Sequence, residues 1–186
     1  MVANPQGKGL RPILNDLQGY LAVSAPAKPL LQITNELFTS LFILNSQFSF
    51  RPVPGKAYYL YKEGTGFNLS LIAPKEWSKE KQAAFVGTSQ LNQDLTWTLN
   101  LSEQCEEDEA FMEKLTQMRQ KFEKQMDAAA SLQDVLPTYE KSLKFHQRIL
   151  AFGLSHSLGQ SMGQSGVANL SYKEALQLTH NTEEDQ

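Results

Sequence analysis

Between Phe48 and Leu99 the spacing of apolar residues changes from helical to alternating, and that change restricts the chain to a mixed fold. The run "KAYYLYK" is followed by "EGTG" and then "FNLSLIA", and a short spacer with two glycines reads as a β-hairpin. Tyr58 and Leu60 fall on one face of the first strand, Tyr59 and Tyr61 on the other, so both faces carry bulk. A sheet of this kind must curl, be covered on each face, or dimerise. Further strands are expected at "FSFRPV", around Ala84–Gln90 and around Leu95–Leu99. The result is an antiparallel meander of four to five strands, for which an SH3-like half-barrel is one closure.

Helical spacing flanks this region. After Pro29, Leu30, Ile33, Leu37, Leu41 and Leu44 recur at helical intervals, and Phe38 and Phe42 widen the stripe. A short helix is expected around Pro12–Tyr20. The acidic run "EEDEA" suits a helix start, where the macrodipole favours negative charge. Phe111, Leu115, Met118, Phe122 and Met126 then run for four turns. Pro137 fits the first turn of another helix, which carries Leu143, Leu150, Leu154, Leu158 and Met162. The fold class expected is α+β, with the sheet packed against an N-terminal helix and two to three C-terminal helices. One domain is expected over residues 1–176, with its β unit at about 47–100 and its helical part at about 103–166; 177–186 reads as a disordered tail.

Net charge is −3, and the acids concentrate beyond residue 101. No cluster of Lys and Arg provides the phosphate footprint that nucleic acid needs. The opening "MVANPQGKGLRPILND" contains no apolar stretch of signal-peptide length. The most apolar run, "LFTSLFIL", is far short of the ~20 residues that cross a bilayer. The single cysteine cannot form an internal disulfide. These features lead to the expectation of a cytoplasmic protein with neither a nucleic-acid partner nor a membrane one.

"GQSMG" (159–163) fits the G-x-S-x-G pattern of serine hydrolases, but a nucleophile elbow needs a strand feeding a strained turn. Here "RILAFGLSHSL" precedes it and reads as helix. Gly153, Ser157, Ser161 and Ser165 recur every four residues, so the serine belongs to a ridge of small side chains that admits a neighbouring helix. Cys105 lies among carboxylates, which disfavour a thiolate. His146, His156 and His180 show no metal-ligand spacing, and His146 falls on an apolar stripe. "QGKGL" and "PGKAYY" each lack a complete phosphate loop, and no dinucleotide signature is present. The expectation is therefore no catalytic residue, no metal and no cofactor.

"GKAYYLYKEGTGFNLSLIAPKEW" followed by "FVGTSQLNQDLTWTL" resembles an uncharacterised protein family with bacterial members and a human member from a chromosome 1 open reading frame. The family pattern falls on Gly55, Tyr58, Tyr59, Leu60, Tyr61, Ser70, Ile72, Pro74, Glu76, Trp77, Asp94 and Trp97. The bacterial members also look similar at "NPQGKGL" and in the C-terminal helices, whereas the human member matches mainly over 55–99. The resemblance implies that 55–99 is the characteristic unit. It supplies no catalytic residue, and the function it implies is unknown.

The leading expectation is a non-enzymatic interaction module that docks a protein partner through an aromatic-rich sheet. Its surface would comprise Tyr59, Tyr61, Lys75, Glu76, Trp77, Asp94 and Trp97. The alternative is a small-molecule-binding protein, or an enzyme of unrecognised type, with a pocket between sheet and helices. Glu76, Asp94 and His146 are its polar candidates. Homo-oligomer assembly through the small-residue ridge is compatible with either.

Overall fold

The structure is a computed structural model that describes residues 18–19, 21–22, 24–138 and 140–184. The short helix expected around Pro12–Tyr20 falls largely outside the described residues. Helix α1 (Leu30–Leu44) starts directly after Pro29 and buries Leu30, Ile33, Leu37, Ile43 and Leu44. Asn45 ends it, donating both its backbone N–H and its side-chain amide to the Leu41 carbonyl.

Strands β1 (Ala57–Glu63), β2 (Gly66–Ser70), β3 (Phe85–Leu91) and β4 (Trp97–Leu101) form an open antiparallel sheet in the order β2-β1-β3-β4. The fold is α+β, but the order differs from a sequential meander, because β3 returns beside β1 rather than β2. The cause lies in the β2–β3 connection. Its 3₁₀ turn (Pro74–Glu76) and helix α2 (Lys79–Ala83) bring Trp77 edge-on to Tyr61 at 6.4 Å between ring centroids, and Tyr61 also meets Phe85 at 5.6 Å. Tyr58 and Leu60 point the opposite way, into the main core with Leu69, Leu91 and Trp97. The doubly apolar strand is thus resolved by a separate cover on each face.

Among the described residues "FSFRPV" forms no strand and contributes next to it only the bridge between Gln47 and Asn68. Phe48 is buried and Phe50 half-buried. Their rings lie 5.5 Å apart and continue onto His146 and Tyr58, while Pro52 has no N–H for a ladder.

Four more helices follow: α3 (Glu103–Glu106), α4 (Glu109–Ala128), α5 (Phe145–Gln164) and α6 (Tyr172–Glu184). Helix α5 begins well after Pro137, where Gln147 ties it to the end of α1. The buried Gln147 amide donates to the Leu44 and Ser46 carbonyls at 3.0 and 2.8 Å and accepts from the Lys144 N–H at 3.2 Å. Helix α6 continues to Glu184, where the sequence reads as a tail from 177. A reciprocal cap starts it: Glu174 accepts from the Ser171 N–H at 2.8 Å, and Ser171 Oγ accepts from the Glu174 N–H at 3.4 Å. No helix among the described residues is long and apolar enough to cross a membrane.

Candidate functional site

Helix α4 is anchored at two places, and between them Met112, Leu115 and Met118 pack only partly against the core. At its start Asp108 accepts from the Phe111 N–H at 3.0 Å and pairs with Lys62 at 2.7 Å, while Phe111 meets Phe67 edge-on at 6.3 Å. Further along, Phe122 packs on Phe38 at 5.5 Å, and Arg119 bonds Asn35 at 2.6 Å. Only Phe111, Phe122 and Met126 of its apolar stripe are buried; Leu115 and Met118 remain half-exposed. What remains is a cleft of 430 Å³ between α1, the β1–β2 turn and α4. Phe38, Leu41, Phe42, Phe67, Met118 and Phe122 give it apolar walls. Its polar lining is Asn45, Thr65, Lys114, Lys121 and Gln125. That volume falls in the range of small-molecule sites, about 300–1,000 Å³.

The residues singled out by sequence lie elsewhere, in three places. Tyr59, Tyr61 and Trp77 form the outer-face cluster, where Tyr61 is fully buried and Tyr59 and Trp77 are half-buried. Burial pushes the Tyr61 hydroxyl pKa up, and the hydroxyl donates to the Ile72 carbonyl at 2.8 Å. The indole Nε1 of Trp77 is buried beside that hydroxyl without a well-formed hydrogen bond. Lys75 and Glu76 are exposed next to the cluster, and Glu76 accepts from the Ala73 N–H at 3.3 Å. Trp97 lies on the inner face, in the core. A fully interior ring cannot present a docking surface, so Tyr61 and Trp97 act here as packing. Asp94 sits in the β3–β4 turn. His146 is half-buried with Nε2 3.1 Å from the Phe48 carbonyl. None of these residues lines the cleft. Ser161 is fully buried within α5, and Cys105 is buried with Sγ 3.5 Å from the Phe85 carbonyl.

Sequence reasoning missed Lys28, which is buried and bonds Glu36 and Asp94, each at 2.5 Å. Desolvation pushes the Lys28 pKa down, but the two carboxylates outweigh it and the net shift is upward. Burial likewise pushes Asp94 up, and its bonds to Lys28 and Thr96 outweigh that, leaving it below the usual carboxylate range. A carboxyl with a depressed folded pKa contributes stability above its unfolded value, about 3.9, and loses it as pH falls through the folded pKa. Wild type is therefore expected to lose thermal midpoint between about pH 5 and about pH 3 more steeply than Asp94→Asn. Parallel melting curves for the two proteins would show that this carboxylate contributes nothing to acid stability.

The described residues thus define an α+β protein with an open four-stranded sheet and a lysine-bearing apolar cleft. Residues 33–121 match the family model described as "Protein of unknown function (DUF2452)". The match begins within α1 and ends within α4, so it extends beyond 55–99 and spans most residues that line the cleft. No solved structure matches the chain. Among the described residues, no group of three or more His, Cys, Asp or Glu could hold a metal ion.

Proposed function

We propose that the protein binds a small molecule with an apolar body in the cleft between α1 and α4. One observation carries this reading: between α1 and a helix anchored at two places lies an open cleft of 430 Å³ whose lining includes six apolar side chains. Leaving such surface in water forgoes about 25 cal/mol for each Å² that a ligand would cover. The uncharged fluorophore N-phenylnaphthylamine is expected to bind saturably with Kd on the order of 10 μM, or about −7 kcal/mol. Met118→Trp, which adds bulk to the cleft wall and narrows the space, is expected to weaken that binding by about tenfold or more without lowering the melting midpoint. Absence of saturable binding, or full binding to the narrowed variant, would remove the reading.

A protein partner is the second reading, favoured by the segment after β2. Leu71 and Ile72 are exposed at 60% and 38%, beside the charged Lys75 and Glu76. Contiguous exposed apolar patches rimmed by polar residues mark interaction sites, and these two neighbours would be the centre of one. If this surface docks a partner, a protein recovered with wild type in a pull-down is lost with folded Leu71→Asp. Equal recovery by both would sink it.

A further inference from the structure

We propose that the ligand of the cleft is a single-chain amphiphile with an anionic head, held by Lys114 and Lys121. This rests on the reading of the cleft as the ligand site. The protein carries a net charge of −3, yet no Asp or Glu lines the cleft and two lysines do. Both lysines stand on α4 two helical turns apart, about 10 Å along its axis, with Met118 between them. The Lys114 ammonium lies 5.5 Å over the Phe67 ring and donates to the Thr65 carbonyl at 3.2 Å. Its stem therefore covers an apolar wall while its charge stays at the solvent edge.

Lys121 forms no ion pair among the described residues. The acids of the adjoining depressions are already engaged. Asp108 is paired with Lys62 at 2.7 Å, and Asp134 accepts from Ser131 Oγ at 2.8 Å. A neutral apolar ligand would leave both ammonium groups without a counter-charge, and a cationic one would be repelled. An anionic head between the two lysines, with its tail running toward Leu41, Phe38 and Phe122, uses both the charge and the apolar walls. From Met118, between the two lysines, to Gln125 the helix runs roughly 10 Å, which suits an extended chain of about ten carbons lying along it. Carboxylate and phosphate heads share this chemistry.

The test is displacement of N-phenylnaphthylamine by decanoate, decyl phosphate, decanol and decylammonium at low ionic strength and neutral pH. In wild type the two anions are expected to displace the probe about tenfold more tightly than decanol, within what two exposed ion pairs supply. Decylammonium is expected to be the weakest. The double variant Lys114→Gln, Lys121→Gln is expected to bring decanoate within about twofold of decanol, with decanol itself unchanged; a similar narrowing is expected at high salt. The stronger of the two anions assigns the head as carboxylate or phosphate. Equal displacement by decanoate and decanol in wild type overturns the anionic head and leaves the cleft reading standing. A preference that survives in the double variant overturns the role of the two lysines. If neither the four amphiphiles nor a purified acidic peptide displaces bound probe, the cleft reading itself falls. If a purified acidic peptide displaces the probe and no amphiphile does, the ligand class is wrong.

Discussion

Gly87→Ala is expected to destabilise the protein by about 3 kcal/mol or more, the upper range for forcing an atom into filled space. A Cβ at this position would lie 2.3 Å from the Asn100 carbonyl oxygen and 3.0 Å from both the Asn100 carbonyl carbon and Leu101 Cα. All three are backbone atoms of β4, so no side chain can rotate away. Relief requires β3 and β4 to separate where Gly87 pairs with Leu101 on one side and Leu60 on the other. Such a shift would disturb the core alignment of Trp97, whose N–H donates to Ser40 Oγ at 2.9 Å. An alanine usually stabilises a tolerant glycine site by about 0.4–1 kcal/mol through the unfolded chain. Urea unfolding distinguishes the two cases. A loss under about 1 kcal/mol would show that the strands part at little cost.

Trp97→Ala is expected to cost about 3–5 kcal/mol, the range for deleting a buried large aromatic. The ring is fully interior, 5.8 Å from Tyr58, whose own hydroxyl accepts from the Val53 N–H at 2.6 Å. Removing it opens a cavity bounded by sheet and α1, two rigid neighbours that cannot collapse inward. Trp97→Phe keeps an aromatic ring there and is expected to lose less, about 1–2 kcal/mol. Because Trp97 does not line the cleft, the Phe variant should bind N-phenylnaphthylamine within about twofold of wild type. A large loss of binding with little loss of stability would reassign Trp97 from the core to the site.

Much of the architecture was legible locally. The stripe after Pro29 became α1, the hairpin around "EGTG" became β1 and β2, and the α4 stripe ran as expected. Each is set by residues a few positions apart, where spacing alone decides which side chains share a face. The cap that starts α6 was also present as Ser171 followed by Glu174, a signal that was overlooked. The late start of α5 had no local signal, because Gln147 gains its partners from the end of α1. Alternation along β1 already separated Tyr58 and Leu60 from Tyr59 and Tyr61, but nothing local said what would cover the second face. The passage of Trp77 over the outer face supplies that cover and makes a second aromatic cluster apart from the main core.

Alone, the sequence determined the class of the protein: helical spacing, then alternating, then helical again demands an α+β fold. It also set the α4 stripe and the two lysines beside Met118. Only the tertiary structure decided that this stripe would be incompletely covered. That outcome depends on where Asp108 and Phe122 anchor the helix against residues distant in the chain. It placed Lys28 between Glu36 and Asp94 for the same reason. A cleft is the space left over after packing, and packing is fixed by contacts that no local pattern contains.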